Sequence, residues 1–260
     1  MKKWVLIAAG VVCLTVCVLL LTKAFPAKAP VEEPPLVEPE APVEELPEEP
    51  EEPPYTSPID FKALREKNED IYAWLTVPGT RITYPVLQHP TEQEFYIDHD
   101  DEKQWAQPGA LFTQSAYNGL TFTDPVTVIY GHRQNDGSMF GDLQPLYLGD
   151  ADYSGINEMV IYLPEAELHY RIFAAVPHSN EHILYMYDFS DEAEYQTFLD
   201  TVYDLDDYAA NYRMEDAAEP GDRLLILETC LQTNRLRRFL VIGKLTETIP
   251  TTYIDGSDAS

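Results

Sequence analysis

The stretch Leu224-Leu225-Ile226-Leu227-Glu228-Thr229-Cys230, followed after a short polar link by Arg237-Arg238-Phe239-Leu240-Val241-Ile242-Gly243-Lys244, decides how the chain is read. Two apolar runs of strand length, rich in Leu, Val and Ile, flank a single cysteine. Runs of this kind, bounded by polar links, read as buried strands. Cys230 then falls where one strand ends, at the lip of a sheet, and the next strand opens with paired arginines. A thiol beside cationic groups is in the setting that favours thiolate, the reactive form.

The whole chain bounds what that cysteine can serve. Its 260 residues hold one core-forming domain plus extras. With 17 Lys and Arg against 45 Asp and Glu, the formal net charge is -28. No basic stripe exists to neutralise phosphates, which excludes nucleic-acid binding of that kind and docking of the body on anionic lipid. The acidity reads as a soluble, self-repelling surface. Of the three cysteines, Cys13 and Cys17 lie in the apolar N-terminal run. The remainder therefore has one thiol and no possible internal disulfide. A lone cysteine is commonly a small core filler, so its neighbours must argue for chemistry.

Lys2 and Lys3 precede an apolar run over residues 4–21, close to the ~20 residues that cross a bilayer. Lysines ahead of the run place the N-terminus in the cytoplasm and everything after it outside. A cleaved signal peptide ending at Ala27-Lys28-Ala29 is the rival; a retained anchor over residues 1–22 is the expectation. Residues 26–58 contain eleven of the 21 prolines and ten glutamates. No hydrophobic face can form there, so residues 23–58 read as a disordered or polyproline-like spacer. A folded domain over residues 59–248 and a tail over 249–260 complete the division.

Asp60 is placed to cap a short amphipathic helix carrying Phe61, Leu64 and Arg65. Strands are predicted over 71–77, 82–87, 109–112, 126–130, 159–163, 168–176, 224–227 and 239–245, with Pro85 marking an edge or bend. A helix with Glu192, Tyr195, Phe198 and Val202 on one face fills 190–204, and a shorter one lies around 139–143. The fold class is mainly β with helical insertions, arranged as a barrel.

Among six histidines, His132 stands out. It ends the apolar run Val126-Thr127-Val128-Ile129-Tyr130-Gly131 and precedes the turn-rich Arg133-Gln134-Asn135-Asp136-Gly137, a strand-end position like that of Cys230. Thiol and imidazole at neighbouring strand ends, with an arginine nearby, make a nucleophile–base pair and an oxyanion stabiliser. No metal site is expected: the chain lacks HExxH, CxxC and a spaced Cys/His set. Nucleotide-binding glycine loops are absent, and Asp98-His99-Asp100-Asp101 reads as a solvated acidic loop rather than a calcium site.

These residues together resemble the sortases, membrane-anchored cysteine transpeptidases of Gram-positive bacteria, and class B in particular. The TLxTC signature of that family is matched by Ile226-Leu227-Glu228-Thr229-Cys230, with isoleucine in place of the first threonine. Tyr130-Gly131-His132 followed by Gly137-Ser138-Met139-Phe140-Gly141 is similar to the family's histidine strand and loop. Arg238 before Phe239-Leu240-Val241-Ile242-Gly243-Lys244 is similar to its arginine strand. Ile71-Tyr72-Ala73-Trp74-Leu75, Pro78-Gly79-Thr80, Tyr84-Pro85-Val86-Leu87-Gln88 and Tyr96-Ile97-Asp98-His99-Asp100 also look like class B, so the resemblance spans residues 59–245.

The resemblance implies an eight-stranded sortase-type β-barrel with an N-terminal helix and a helix between the sixth and seventh strands. It implies Cys230 as nucleophile, His132 as acid and base, and Arg238 as the group holding the carbonyl oxygen. It implies peptide contacts at Leu87, Glu228 and Thr229. Glu228 either favours a basic or amide side chain in the peptide or points at solvent. The expected partners are sorting-signal peptides of secreted proteins, and an acceptor amine of a cell-wall precursor or pilin; no cofactor is implied. Two rivals remain open: a cysteine peptidase releasing peptide to water, and a non-catalytic membrane-tethered peptide-binding module.

Overall fold

The computed structural model describes residues 56–252. The anchor expected over residues 1–22, most of the spacer and most of the tail lie outside the described residues. Among the described residues no helix is long and apolar enough to cross a membrane.

Among the described residues nine strands and four α-helices follow in chain order. Helix α1 is Phe61–Lys67; the Asp60 side chain accepts a hydrogen bond from the Ala63 amide, satisfying one donor of the first turn. Strands β1 (Ile71–Thr76), β2 (Thr83–Leu87), β3 (Leu111–Phe112) and β4 (Val126–Tyr130) come next. Helix α2 (Leu143–Tyr147), β5 (Glu158–Tyr162), β6 (Ala166–His178), α3 (Ile183–Met186) and α4 (Glu192–Tyr203) follow. The chain closes with β7 (Asn211–Tyr212), β8 (Leu224–Cys230) and β9 (Arg238–Pro250).

The sheet order is β5-β1-β2-β3-β4-β8-β9-β6-β7, and β5 also pairs with β6. That last pairing closes eight strands into a barrel, as expected, and removes the sheet edges. β7 lies outside the ring, paired with Ala174 and Ala175 of β6. Only β2–β3 and β4–β8 are parallel; the other ladders are antiparallel. β3 is the slightest member, meeting β2 at Val86 and Leu87 and β4 at the single pair Phe112–Tyr130. Because β3 reaches only Val86 and Leu87, Pro85 has a strand partner on the β1 side alone, where a missing amide is tolerated.

Alternation along β8 and β9 sorts their side chains into two cores. Leu225, Leu227, Phe239 and Val241 point into the barrel. Leu224, Ile226, Leu240 and Ile242 point outward under α4, against Phe198, Leu199 and Val202. Burial on both faces explains the unbroken apolar runs. Helix α4 begins at Asp191, whose carboxylate accepts from the Ala193 and Glu194 amides, and Glu192 and Glu194 in its first turn suit the helix dipole. Glu192 is exposed, and Leu199 completes the buried face that it was expected to share. The short helix expected over 139–143 lies further on, at α2: Gly137 and Met139 hold positive φ, which breaks helical geometry before Leu143.

Candidate active site

The outward face of β8 continues past the cover of α4, and there its residues change from Leu224 and Ile226 to Glu228 and Cys230. β9 pairs antiparallel with β8 without a register shift, so Cys230 stands opposite Arg238. One residue earlier, Arg237 leaves the ladder and reaches Asp207 at 3.1 Å. Arg238 shares the outward face with Leu240, as side chains two apart on a strand must. Its Nη1 lies 3.9 Å from Cys230 Sγ and 3.3 Å from the Arg235 carbonyl oxygen, and its Nε lies 3.3 Å from Glu228 Oε1. The register therefore puts Arg238, and not Arg237, beside the thiol.

His132 reaches the same rim by a different ladder. β4 runs parallel to β8 with Tyr130 opposite Glu228, so two residues further on each chain bring His132 level with Cys230. Strands in one sheet are spaced by about 4.8 Å, a side chain's reach. Gly131, whose amide bonds the Glu228 carbonyl at 3.1 Å, allows this continuation. A Cβ there would overlap the Leu111 side chain and come within 2.7 Å of the Phe140 ring. His132 Nε2 is 2.7 Å from the Ile97 carbonyl oxygen. A carbonyl only accepts, so Nε2 carries the proton and Nδ1 is the nitrogen left for proton transfer.

Cys230, His132 and Arg238 line one cleft of about 240 Å³ with Glu228, Thr229 and Tyr130. Its far wall brings Ile97, Phe112, Gln114 and His182, which sequence reasoning had not singled out. His182 Nε2 lies 2.6 Å from Gln114 Oε1, and burial holds its imidazole below the usual histidine range. Glu228 is 8% exposed, so it does not point at solvent. Burial pushes its carboxyl up to about 7 while Arg238 pulls the other way. Thr229 is buried on the opposite face of β8, and its hydroxyl finds no hydrogen-bond partner among the described residues. Leu87 is not brought to the cleft: it is fully buried among Ile71, Tyr96, Ala110 and Phe112.

A further residue braces the site from behind. Gln144 of α2 is buried; its Nε2 donates to the Cys230 carbonyl at 2.9 Å, and its Oε1 accepts from the Gln232 amide at 2.8 Å. Both groups sit where the β8 ladder has ended and would otherwise lack partners. The only sequence signal was one amide among apolar neighbours, Leu143-Gln144-Pro145-Leu146. The acidic loop at Asp98-His99-Asp100-Asp101 is engaged locally: Asp98 contacts His99, Asp100 caps the Glu102 and Gln104 amides, and Asp101 pairs with Lys67.

A closed eight-stranded barrel that gathers a cysteine, a histidine and an arginine at one rim has the architecture of a cysteine transpeptidase. Known proteins sharpen that class. The chain is 30% identical to sortase B of Listeria monocytogenes over 174 residues, 66% of this chain and 67% of the relative. A Staphylococcus aureus sortase B–substrate complex matches with a TM-score of 0.62 and 25% identity, covering 72% of this chain and 84% of that one. A Streptococcus pyogenes class B sortase involved in pilus biogenesis matches with a TM-score of 0.59 and 26% identity, covering 72% of this chain and 98% of that one. A scan against family models finds no match. The chain belongs to the class B sortases.

Proposed function

We propose that this sortase is held at the outer face of the cell membrane by residues 1–22. There it cleaves the C-terminal sorting signal of secreted proteins and transfers the acyl part to an amine of a cell-wall precursor or pilin. In this reading Cys230 Sγ passes its proton to His132 Nδ1 and attacks the scissile carbonyl carbon, and the oxyanion that forms accepts hydrogen bonds from the Arg238 guanidinium. His132 gives a proton to the leaving amine as the C–N bond breaks, which leaves a thioester on Cys230. The acceptor amine then attacks that thioester; His132 takes its proton, and the sulfur departs as the new amide forms. The substrate complex of the Staphylococcus aureus relative supports a peptide in the cleft. The pilus role of the Streptococcus pyogenes relative supports a protein amine as one acceptor class.

The observation that carries this reading is the pairing of Cys230 with Arg238 across the last rung of the β8–β9 ladder, guanidinium 3.9 Å from sulfur. The test is a library of sorting-type peptides offered to the purified chain with an amine present, products being read by mass spectrometry. A covalent peptide adduct on Cys230, converted to ligated product, is expected, and Cys230→Ala should give neither. Adduct formation in Cys230→Ala would overturn the assignment of the nucleophile. Hydrolysed product alone, whatever amine is supplied, would favour the peptidase.

A further inference from the structure

Cys230 and His132 also line a second pocket, of about 310 Å³, which shares no other residue with the first cleft. Apart from Leu231, its remaining lining residues are the amide-bearing Gln107, Gln134, Asn135 and Gln232 and the two arginines Arg133 and Arg235. Among the described residues no carboxylate lines it, in a chain with 45 Asp and Glu against 17 Lys and Arg. The first cleft, by contrast, contains Glu94 and Glu228. Arg133 and Arg235 make no ion pair among the described residues; Arg133 Nη2 donates to Asn135 Oδ1 at 2.8 Å, which leaves the rest of its fork free. The Arg235 carbonyl accepts from Arg238 at 3.3 Å, which ties this wall to the catalytic arginine.

A two-substrate transfer needs two approaches to one carbonyl carbon, because the acyl peptide still fills the first cleft when the acceptor arrives. We propose that the Arg133–Arg235 pocket is the acceptor subsite and that it selects a primary amine carried on an anionic body, one bearing a carboxylate or phosphate. This rests on the transpeptidase reading above and names the second substrate. Two guanidinium groups attract such a carrier by charge-assisted, forked hydrogen bonds. The same positive field disfavours the ammonium form of the incoming amine, and so favours the neutral form that can attack. The amine nitrogen bonds to the thioester carbon, its proton passes to His132, and the C–S bond breaks to release Cys230. A lysine on a neutral or cationic protein surface gains nothing from this pocket.

The test compares acceptors of different charge: glycine tripeptide with a free carboxylate, its carboxamide, which differs from it in charge alone, and the carboxamide extended by one lysine. Their binding to the full chain carrying Cys230→Ala, measured by calorimetry at low salt, needs no turnover. The free acid should bind about fivefold to tenfold more tightly than the carboxamide. That preference should shrink as salt rises and vanish in Arg133→Gln/Arg235→Gln. With the wild-type chain and a cleaved peptide, the ratio of ligated to hydrolysed product should rank the three acceptors in the same order. Equal binding of acid and carboxamide, a preference for the lysine-extended peptide, or a preference that survives the double substitution would overturn the proposal. A chain that binds the acid selectively but forms no thioester would instead overturn the transpeptidase reading and leave the anion selectivity standing.

Discussion

Replacing Glu228 by glutamine isolates the most expensive polar group near the thiol. The carboxyl is 8% exposed, touches one cation, and is shifted from an ordinary 4.5 to about 7 because burial penalises its charged form more than Arg238 rewards it. Between those two values the folded chain keeps a proton that the unfolded chain has released. Stability therefore falls as pH rises through that window, since folding there requires proton uptake. A shift of this size corresponds to about 3 kcal/mol, present in full below pH 4.5 and lost once the pH passes 7. Glutamine keeps the size and an acceptor for Arg238 Nε but cannot ionise. Urea unfolding of wild type and Glu228→Gln from pH 4.5 to 8.5, followed by tryptophan fluorescence, should give curves that diverge with pH. Glu228→Gln should gain on wild type by up to about 3 kcal/mol, a midpoint difference of about 1 M urea or more. A difference that stays flat within ~0.5 kcal/mol across the range would refute the reasoning, because Arg238 would then offset the burial in full.

Four further variants have expected outcomes. Arg238→Lys should lower the rate of thioester formation by about 10²–10³, since an ammonium cannot replace a forked donor. Arg237→Lys, whose partner is the partly exposed Asp207, should stay near wild type; steady-state turnover of a cleaved peptide by both variants checks the register. Gln144→Leu removes the partners of the Cys230 carbonyl and the Gln232 amide and should cost about 1–3 kcal/mol in thermal unfolding, with slower acylation at unchanged peptide affinity. Gly131→Ala forces a methyl against Leu111 and Phe140 and should cost about 1–3 kcal/mol while displacing His132; a variant of wild-type stability and activity would show that Gly131 is not needed for the close approach.

The parts of this fold legible in the sequence were those whose local pattern matches their final environment. β4 and β8 are central and buried on both faces, so their apolar runs announced them, and the chemistry-bearing residues stood at the ends. Neighbouring residues on a strand face opposite sides, so Arg237 and Arg238 could not both meet the thiol; the family resemblance pointed to Arg238, and the ladder sets it opposite Cys230. What stayed hidden depends on residues far apart in the chain. The parallel pairing of β4 with β8 joins Val126 to Leu224, and no local signal encodes a partner so distant. Strands of two residues, as in β3 and β7, have no period to detect. Gln144 bonds a carbonyl 86 residues away, and an amide looks the same whether it braces a strand end or faces water. Leu87 sits at a strand end like other candidate residues, but it falls on the face of β2 opposite to that of Val86, where Ile71, Tyr96 and Phe112 cover it.

The unequal ladders of the barrel give its rim two mechanical characters. Cys230 and Arg238 are clamped between β8 and β9, and β9 is in turn paired along the whole length of β6. The opposite wall hangs on β3, stitched to β4 by one pair, Phe112–Tyr130. Opening free energy is lowest where few backbone bonds must be given up. By that rule thermal breathing of the ring is concentrated at the wall bearing Phe112 and Gln114, and spared at Cys230. An incoming chain pressing into the cleft meets a compliant cheek and a rigid jaw. The aperture can widen to admit bulk while the spacing of sulfur and guanidinium holds.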